Sequence, residues 1–174
     1  MTGLGRRKPQ HRAATPADVA VGELYREAGL RMVRLAVILT GDGGVAEEVV
    51  QEAFVRVWRS WDRLRDPDAA RAYLRTTVVN VANSFLRRRT LELRHRFRRA
   101  DDAVQIDPDE RIDLLRAVAK LPPRQRACVA LRFYEDLSES QTAEVLGISV
   151  GAVKSQTYKA LRRLETFVGG EDRG

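Results

Sequence analysis

Few residues of this sequence could take part in nucleophilic or metal-dependent catalysis. The only cysteine is Cys128, and it lies in RACVALRFY, between small and apolar residues at helical spacing. This context predicts a buried small side chain rather than a reactive thiol. The histidines, His11 and His95, stand alone among arginines, and neither is at metal-ligand spacing with the other or with Cys128. We therefore expect no enzyme and no cofactor or metal site, and one cysteine also excludes an internal disulfide.

The stretch LGISVGAVKSQTYKAL, residues 146–161, suits a different chemistry, contact with nucleic acid. It places small residues where a helix should begin and basic residues further along that helix. Glycine inside a helix costs about 1 kcal/mol relative to alanine, so Gly151 needs a reason to be there. Small side chains at Gly151 and Ala152 would let the first turn approach DNA closely, where its backbone amides favour phosphates.

The residues around this stretch predict a helix-turn-helix, in which the second helix enters the major groove of DNA. A short helix from Ser138 to Leu146 begins with a capping box, formed by Ser138 and by Gln141 three residues later. Gly147 then turns the chain, and Ser149 caps a last helix that continues to about residue 167. The alternative is a basic, solvated face on a purely structural helix pair.

Helical periodicity divides the last helix into an inner and an outer face. With Val153 and Leu161 predicted to point inward, the outward candidates for DNA contact are Gly151, Ala152, Lys154, Ser155, Gln156, Tyr158, Lys159 and Arg162. Lys154 and Gln156 can reach base edges. Lys159, Arg162 and the adjacent Arg163 are better placed for phosphates, whose contacts position a protein without specifying sequence.

The composition supports a polyanionic partner. Lys and Arg number 31 against 24 Asp and Glu, which gives a net charge of +7 and a pI near 10.2. Such a balance favours nucleic acid or an anionic membrane surface, although a basic and inert surface would look the same. No apolar run approaches the roughly 18 residues of a membrane span, and the N-terminus lacks the apolar segment of a signal peptide. We therefore expect a cytoplasmic protein without membrane insertion.

The pattern along the chain predicts an all-α fold of two small helical domains joined by a flexible linker. Residues 1–17 are typical of a disordered basic tail, 18–89 of a compact helical domain, 90–108 of a linker, and 109–168 of a domain containing the helix-turn-helix. In the first domain, the second helix has one broad apolar stripe that includes Phe54 and Trp58. The third helix is predicted to begin with Asp68 as N-cap and to end near Arg89.

A polar and then basic face runs along this third helix. Thr76, Asn80, Asn83 and Arg87 recur at intervals of four, three and four, away from the apolar residues of the same helix. An ordinary solvated stripe would have the same pattern.

The chain resembles bacterial RNA polymerase sigma factors of the extracytoplasmic-function (ECF) type, specifically the short actinobacterial sigma-E-like group. The first domain carries the resemblance in AEEVVQEAFVRVWRSWDRLRDPDAARAYLRTTVVNVANSFLRRR, and the second in LPPRQRACVALRFYEDLSESQTAEVLGISVGAVKSQTYKALRRL. Both motifs in this order are highly specific, and the match covers about residues 20–168.

The resemblance implies a function and partners for each face. It implies that the first domain docks on the clamp coiled coil of core RNA polymerase through Glu48, Gln51 and Glu52, and Val55 is predicted to lie on the same outward side of that helix. The same domain would capture and melt the minus-10 promoter element through Thr76, Asn80, Asn83 and Arg87, and the helix-turn-helix would recognise the minus-35 element. Members of this group are commonly held inactive by an anti-sigma factor, which adds a further partner that no residue here identifies.

Three other classes of protein remain as alternatives. A free-standing helix-turn-helix regulator that binds operators as a dimer needs only the second domain and leaves the first unexplained. A helical enzyme needs a catalytic constellation, which the residue types do not supply. A pure interaction module does not account for the recognition helix.

Overall fold

The computed structural model describes residues 14–64, 66–96 and 110–169, and it confirms an all-α fold because these residues form helices and no strand. The α-helices are α1 (Pro16–Thr40), α2 (Gly43–Arg59), α3 (Pro67–Arg96), α4 (Glu110–Ala119), α5 (Pro123–Val129), α6 (Glu139–Leu146) and α7 (Val150–Gly169). A 3-10 turn spans Trp61–Arg63, and a π-helix of residues Ala130–Tyr134 extends α5. Within these ranges, every helix is too short or too polar to cross a bilayer.

The first helix starts earlier than predicted. The Oγ1 atom of Thr15 accepts from the backbone N–H of Asp18, the Asp18 carboxylate accepts from the Thr15 N–H, and Pro16 occupies the first turn. The predicted tail is therefore wrong at residues 16 and 17, which are helical, while residues 1–13 lie outside the described residues. At its other end, α1 stops at Gly41, which adopts a left-handed conformation with φ 76°.

Helices α1, α2 and α3 surround one apolar core. Leu35, Val57, Leu74 and Val78 are fully buried within it. Phe54 is buried as predicted and packs edge to face on Tyr25 at 5.1 Å between ring centroids. Trp58 is a correction to the predicted stripe, because its side chain is 45% exposed and its indole N–H donates to Asp18 Oδ1 over 2.8 Å.

The third helix differs from its predicted bounds at both ends. It begins at Pro67, and the carboxylate of Asp66 accepts from the N–H of Asp68 at 3.2 Å, so the capping residue is Asp66 and the prediction of Asp68 is wrong. The helix continues past Arg89 to Arg96. The remainder of the predicted linker, residues 97–108, lies outside the described residues.

The second half forms a smaller core beneath the helix-turn-helix. Ala117, Val118 and Leu121 of α4 and its end pack against Ala160 and Leu164 of α7. Pro122 and Pro123 separate α4 from α5, because proline cannot continue the preceding helix but tolerates the first turn of the next one. This core fixes the inner side of α7 and leaves its other side to solvent.

The two halves of the chain also pack against each other. Ala127, Ala130, Leu131 and Leu137 of the second half belong to the same apolar cluster as the core of the first half. The guanidinium of Arg126 spans the contact, since its Nη1 atom donates to the carbonyl oxygen of Leu39 at 2.9 Å. The sequence did not predict this contact.

Candidate nucleic-acid interface

The turn between α6 and α7 has the local geometry that the sequence predicts. Ser138 and Gln141 form a capping box at the start of α6, and Gly147 ends that helix in a left-handed conformation with φ 63°. Ser149 Oγ then accepts from the backbone N–H of Ala152 at 3.1 Å, as expected of an N-cap. These contacts fix the direction in which α7 leaves the turn.

Gly151 has no packing reason to be glycine. A Cβ atom built on it would have Ser149 Oγ, at 4.0 Å, as its only neighbour within contact range in the described structure. Gly151 itself is exposed, and it does not adopt the left-handed conformation that would require glycine. The protein's own fold therefore leaves the surface of the first turn of α7 open.

The predicted outer face of α7 is exposed over most of its length. Gly151, Lys154, Ser155, Tyr158, Lys159 and Arg162 are exposed, whereas Ala152 and Gln156 are half-buried. Val153 is fully buried as predicted. The prediction that Leu161 points inward is wrong, because it is 38% exposed, and Ala160 and Leu164 take the inner positions at an i, i+4 spacing.

The charged residues of α7 have local partners. Lys154 Nζ lies 3.5 Å from Glu139 Oε2 at the start of α6, and Arg162 pairs with Glu165 at 3.0 Å. Both pairs are largely exposed, and such pairs contribute only about 0–1 kcal/mol, so they leave these cations available to another partner. Arg163 instead donates to Gln125 Oε1 at 3.0 Å and ties α7 to α5.

On α3, the four predicted polar residues differ in exposure. Asn80 and Arg87 are exposed, whereas Thr76 and Asn83 are half-buried. Ser84 connects two of them, because its hydroxyl donates to the Asn80 carbonyl oxygen at 2.9 Å and accepts from Arg87 Nη2 at 3.1 Å. The carboxamide of Asn80 faces solvent and can both donate and accept.

The α3 face and the helix-turn-helix meet across one groove, which the sequence did not predict. This inter-half groove has a volume of about 860 Å³. On one side it is lined by Asn83 and Arg87, and on the other by Gly147, Ile148 and Gln156. These residues of the two sides are 60 or more positions apart in the sequence and cannot be paired by periodicity, so no local pattern could have revealed the groove.

A third predicted face lies on α2. Glu48, Gln51, Glu52 and Val55 are all exposed, opposite the buried Val50 and Ala53. The Glu52 carboxylate accepts from Arg56 Nε at 2.9 Å within the same helix. The structure thus presents these four side chains to solvent on one surface of the first half.

Cys128 and the described acidic residues do not form a reactive or metal-binding cluster. Cys128 is fully buried, as predicted, and burial raises the pKa of its thiol, which keeps it protonated and unreactive at neutral pH. In the described ranges, no group of three potential metal-ligating side chains comes together. The surfaces that stand out are instead the basic and amide-bearing faces of α3 and α7.

The described residues are helical, and α6, the turn at Gly147 and the exposed basic helix α7 form a helix-turn-helix. These features place the protein in the class of helix-turn-helix DNA-binding proteins. The family description Sigma-70 region 2 matches residues 24–92, and Sigma-70, region 4 matches residues 111–164. The chain is 35% identical to the RNA polymerase sigma-E factor of Streptomyces avermitilis over 144 residues, covering 81% of this chain and 80% of that relative. It is 33% identical to the ECF RNA polymerase sigma factor SigL of Mycobacterium tuberculosis over 162 residues, covering 87% and 90% of the two chains.

The chain therefore belongs to the sigma-70 family of RNA polymerase sigma factors, and within it to the ECF group. As a sigma factor, it recognises promoter DNA together with core RNA polymerase. The structure of CnrH in complex with the cytosolic domain of CnrY is similar, with a TM-score of 0.62 and 26% identity over 88% of this chain and 95% of that chain. The sigma factor RpoE of Bartonella quintana, solved with the anti-sigma factor NepR, has the same fold, with a TM-score of 0.71 and 23% identity over 84% and 97% of the two chains.

Proposed function

We propose that this protein directs core RNA polymerase to promoters by recognising a minus-35 and a minus-10 element and by promoting the DNA melting that starts transcription. The observation that carries the proposal is the open first turn of α7. Gly151 is glycine although no neighbour in the fold requires it, and this leaves room for a DNA backbone at the helix N-terminus.

The recognition helix would contact the minus-35 element in the major groove. Lys154 and Gln156 lie on its first two turns and carry donors and acceptors that suit base edges. Lys159 and Arg162 lie further along the helix, are exposed, and would bind phosphates. Residues 109–168 form the promoter-reading domain in this assignment.

The first domain, residues 18–89, would bind the minus-10 element through α3. Thr76, Asn80, Asn83 and Arg87 offer hydroxyl, amide and guanidinium groups to the edge of an unstacked base and to its phosphates. Unpairing a base costs a few kcal/mol, so a pocket that holds the flipped base lowers the free energy of the open state.

Core polymerase would dock on the α2 face. Glu48, Gln51, Glu52 and Val55 combine two carboxylates, an amide and an apolar side chain on one exposed helix surface. This composition fits a positively charged partner helix such as the clamp coiled coil. The polymerase would carry out the chemistry, so this chain acts in the cytoplasm as a non-catalytic specificity subunit.

An anti-sigma factor is a further proposed partner. The RpoE and CnrH structures were solved with NepR, an anti-sigma factor, and with the cytosolic domain of CnrY, respectively. Since this chain has the same fold, we extend a partner of that kind to it.

Transcription with purified components tests the proposed function. We expect core RNA polymerase to initiate from a cognate promoter only when this protein is added. Operator binding that is independent of polymerase, without stimulated initiation, would instead identify a dimeric helix-turn-helix regulator. Failure to associate with core polymerase would overturn the proposal.

Asn80→Ala should impair DNA opening more than duplex binding. Removing the exposed carboxamide deletes a donor and an acceptor from the proposed base pocket, and we expect an about 10- to 100-fold loss of open complexes, since one captured base is worth about 1–3 kcal/mol. Permanganate reactivity of the melted bases measures this loss.

Thr166→Ala is a control for the Asn80 variant, because Thr166 is exposed near the end of α7, lies outside the proposed DNA contacts and the groove, and donates its hydroxyl to the Arg162 carbonyl oxygen of the same helix. It should leave permanganate reactivity unchanged. Wild-type reactivity in Asn80→Ala would contradict the proposed role of Asn80.

A further inference from the structure

Glu135, a buried carboxylate, joins the two halves of the chain through ion pairs with two arginines. Its side chain is 2% exposed, and its Oε1 atom accepts from Arg31 Nε of α1 at 2.8 Å. Its Oε2 atom lies 3.5 Å from Arg75 Nη1 of α3. One carboxylate of the second half therefore contacts two helices of the first half.

An irregular backbone places Glu135 in this position. The π-helix of residues Ala130–Tyr134 precedes it, and the Glu135 N–H donates to the Ala130 carbonyl oxygen at 3.0 Å. Asp136, directly after it, has φ 53°, which makes it the one non-glycine residue with positive φ in the described parts of the chain. π-helices and left-handed non-glycine residues are unfavourable, and they persist where the surroundings impose them and often where they serve a function.

Two further hydrogen bonds between the halves hold them in the same relative position. The Tyr134 hydroxyl donates to the Arg31 carbonyl oxygen at 3.3 Å, and Arg126 Nη1 donates to that of Leu39. The apolar side of the contact comes partly from small side chains such as Ala127 and Ala130. Directional polar contacts and apolar packing, which includes the buried Leu131 and Leu137, together define how the halves fit.

The charge cluster pairs a buried carboxylate with two cations, but one guanidinium is incompletely hydrogen-bonded. Buried charges that lose a partner are left uncompensated, so the cluster favours the closed arrangement as long as all three groups are present. However, Arg75 Nε is buried and has no hydrogen-bond partner among the described residues. Separation of the halves would return this group to water, which would offset part of the cost of breaking the ion pairs.

The closed arrangement turns one edge of each proposed DNA-binding face toward the other. Asn83 and Arg87 of α3 line the inter-half groove opposite Ile148 and Gln156. A groove of about 860 Å³ has the size of a small-molecule site, far too small for a DNA duplex. If the proposed function is correct, the half-buried Asn83 and Gln156 cannot engage promoter DNA while the groove is closed.

We propose that Glu135, Arg31 and Arg75 form a charge latch that holds the free chain closed and masks the groove-lining part of its DNA-binding surface. Opening the latch separates the halves, so that α3 and α7 can contact different stretches of one promoter. The inference concerns the free chain, and only its consequence for DNA binding rests on the proposed function.

Energy transfer between two dyes measures opening directly. Cysteines introduced at Glu47 on α2 and Thr166 on α7 place one dye on each half, because both positions are exposed. Native Cys128 is fully buried and should remain unlabelled under native conditions. We expect high transfer in the otherwise unchanged chain and lower transfer in Glu135→Gln and Arg31→Gln, with an at least tenfold larger open fraction.

Glu23→Gln is the matched control, since it removes one negative charge from an exposed position of α1 outside the latch. Its transfer should equal that of the parent chain. The Arg31 side chain is 53% exposed, so its replacement should leave the helices folded. Arg31→Gln therefore tests the latch even if Glu135→Gln unfolds and loses its helical circular dichroism signal. Parent-like transfer in every helical latch variant would overturn the proposal.

Binding of random-sequence, single-stranded DNA gives a second measurement. Opening exposes the half-buried Asn83 and Gln156 and removes the opposite wall of the groove from Arg87, so we expect several-fold tighter binding by Arg31→Gln, despite its loss of a positive charge. Affinity equal to or weaker than that of the parent chain would contradict masking. Neither measurement uses polymerase, so the latch is tested separately from the proposed function. A chain that opens as described but does not support transcription would overturn the proposed function and still support the latch.

Discussion

Replacement of Arg126 by alanine should destabilise the protein by about 3–5 kcal/mol. The Arg126 side chain is buried, and its guanidinium donates to the carbonyl oxygens of Leu39, Ala119 and Leu121 at 2.6–3.0 Å. Burial lowers its pKa from the ordinary value, yet arginine stays protonated at neutral pH, so these are charge-assisted hydrogen bonds. Their removal leaves buried carbonyl oxygens without donors at the ends of α1 and α4.

Urea-induced unfolding followed by circular dichroism measures the loss. Arg124→Ala is the matched control, because Arg124 lies on the same helix and is exposed, and we expect it to change the free energy of unfolding by at most about 0.5 kcal/mol. Arg126→Lys should fall between the two, since a single ammonium cannot reach all three carbonyl oxygens. A stability of Arg126→Ala within about 1 kcal/mol of wild type would show that these hydrogen bonds are replaced by water.

Combined replacement of Lys154 and Gln156 by alanine should reduce promoter discrimination by about 10- to 100-fold. Each well-formed contact of a side chain with a base edge is worth about 1–3 kcal/mol of discrimination, and these two side chains lie on the outer side of the first turns of α7. Competition between a cognate and a scrambled minus-35 duplex for the polymerase complex measures the change. Association with core polymerase should stay at the wild-type level.

Lys159→Ala separates base recognition from phosphate binding. Lys159 lies further along the same exposed face, so its loss should weaken binding to all sequences equally and reduce the salt dependence by about one counterion. Unchanged discrimination in the double variant would show that α7 does not recognise bases through these residues.

Local sequence signals predicted much of the candidate interface. Capping boxes and left-handed glycines act within a few residues, so the sequence alone located the start of α6 and the turn at Gly147. The same rules misplaced the start of α3, because Asp66 and Asp68 are both good capping residues and Pro67 decides between them. The buried face of α7 is narrow, so an error of one residue in the helical periodicity exchanges a buried and an exposed position. This is why the periodicity predicts that Leu161 points inward, although the adjacent Ala160 takes that position.

The contact between the halves could not be predicted from such signals. Arg31 and Glu135 are 104 residues apart, and neither stands out from the many other charged residues of the chain. The sequence does not reveal the π-helix that orients Glu135, because the residues Ala130–Tyr134 would also fit a regular α-helix. Long-range charge pairs become visible only when the fold brings their elements together.

The apolar cluster that spans both halves limits how far the chain can be treated as modular. Leu131 and Leu137 complete a core whose other members belong to the first three helices. In a hybrid sigma factor that takes one half from a paralogue, the apolar side chains of the two halves would not match in size where they pack together. Glu135 or Arg126 would also lose its partner in the other half. Natural recombination between relatives should therefore favour exchange of the whole chain, and engineered promoter switching should graft the surface of α7 alone.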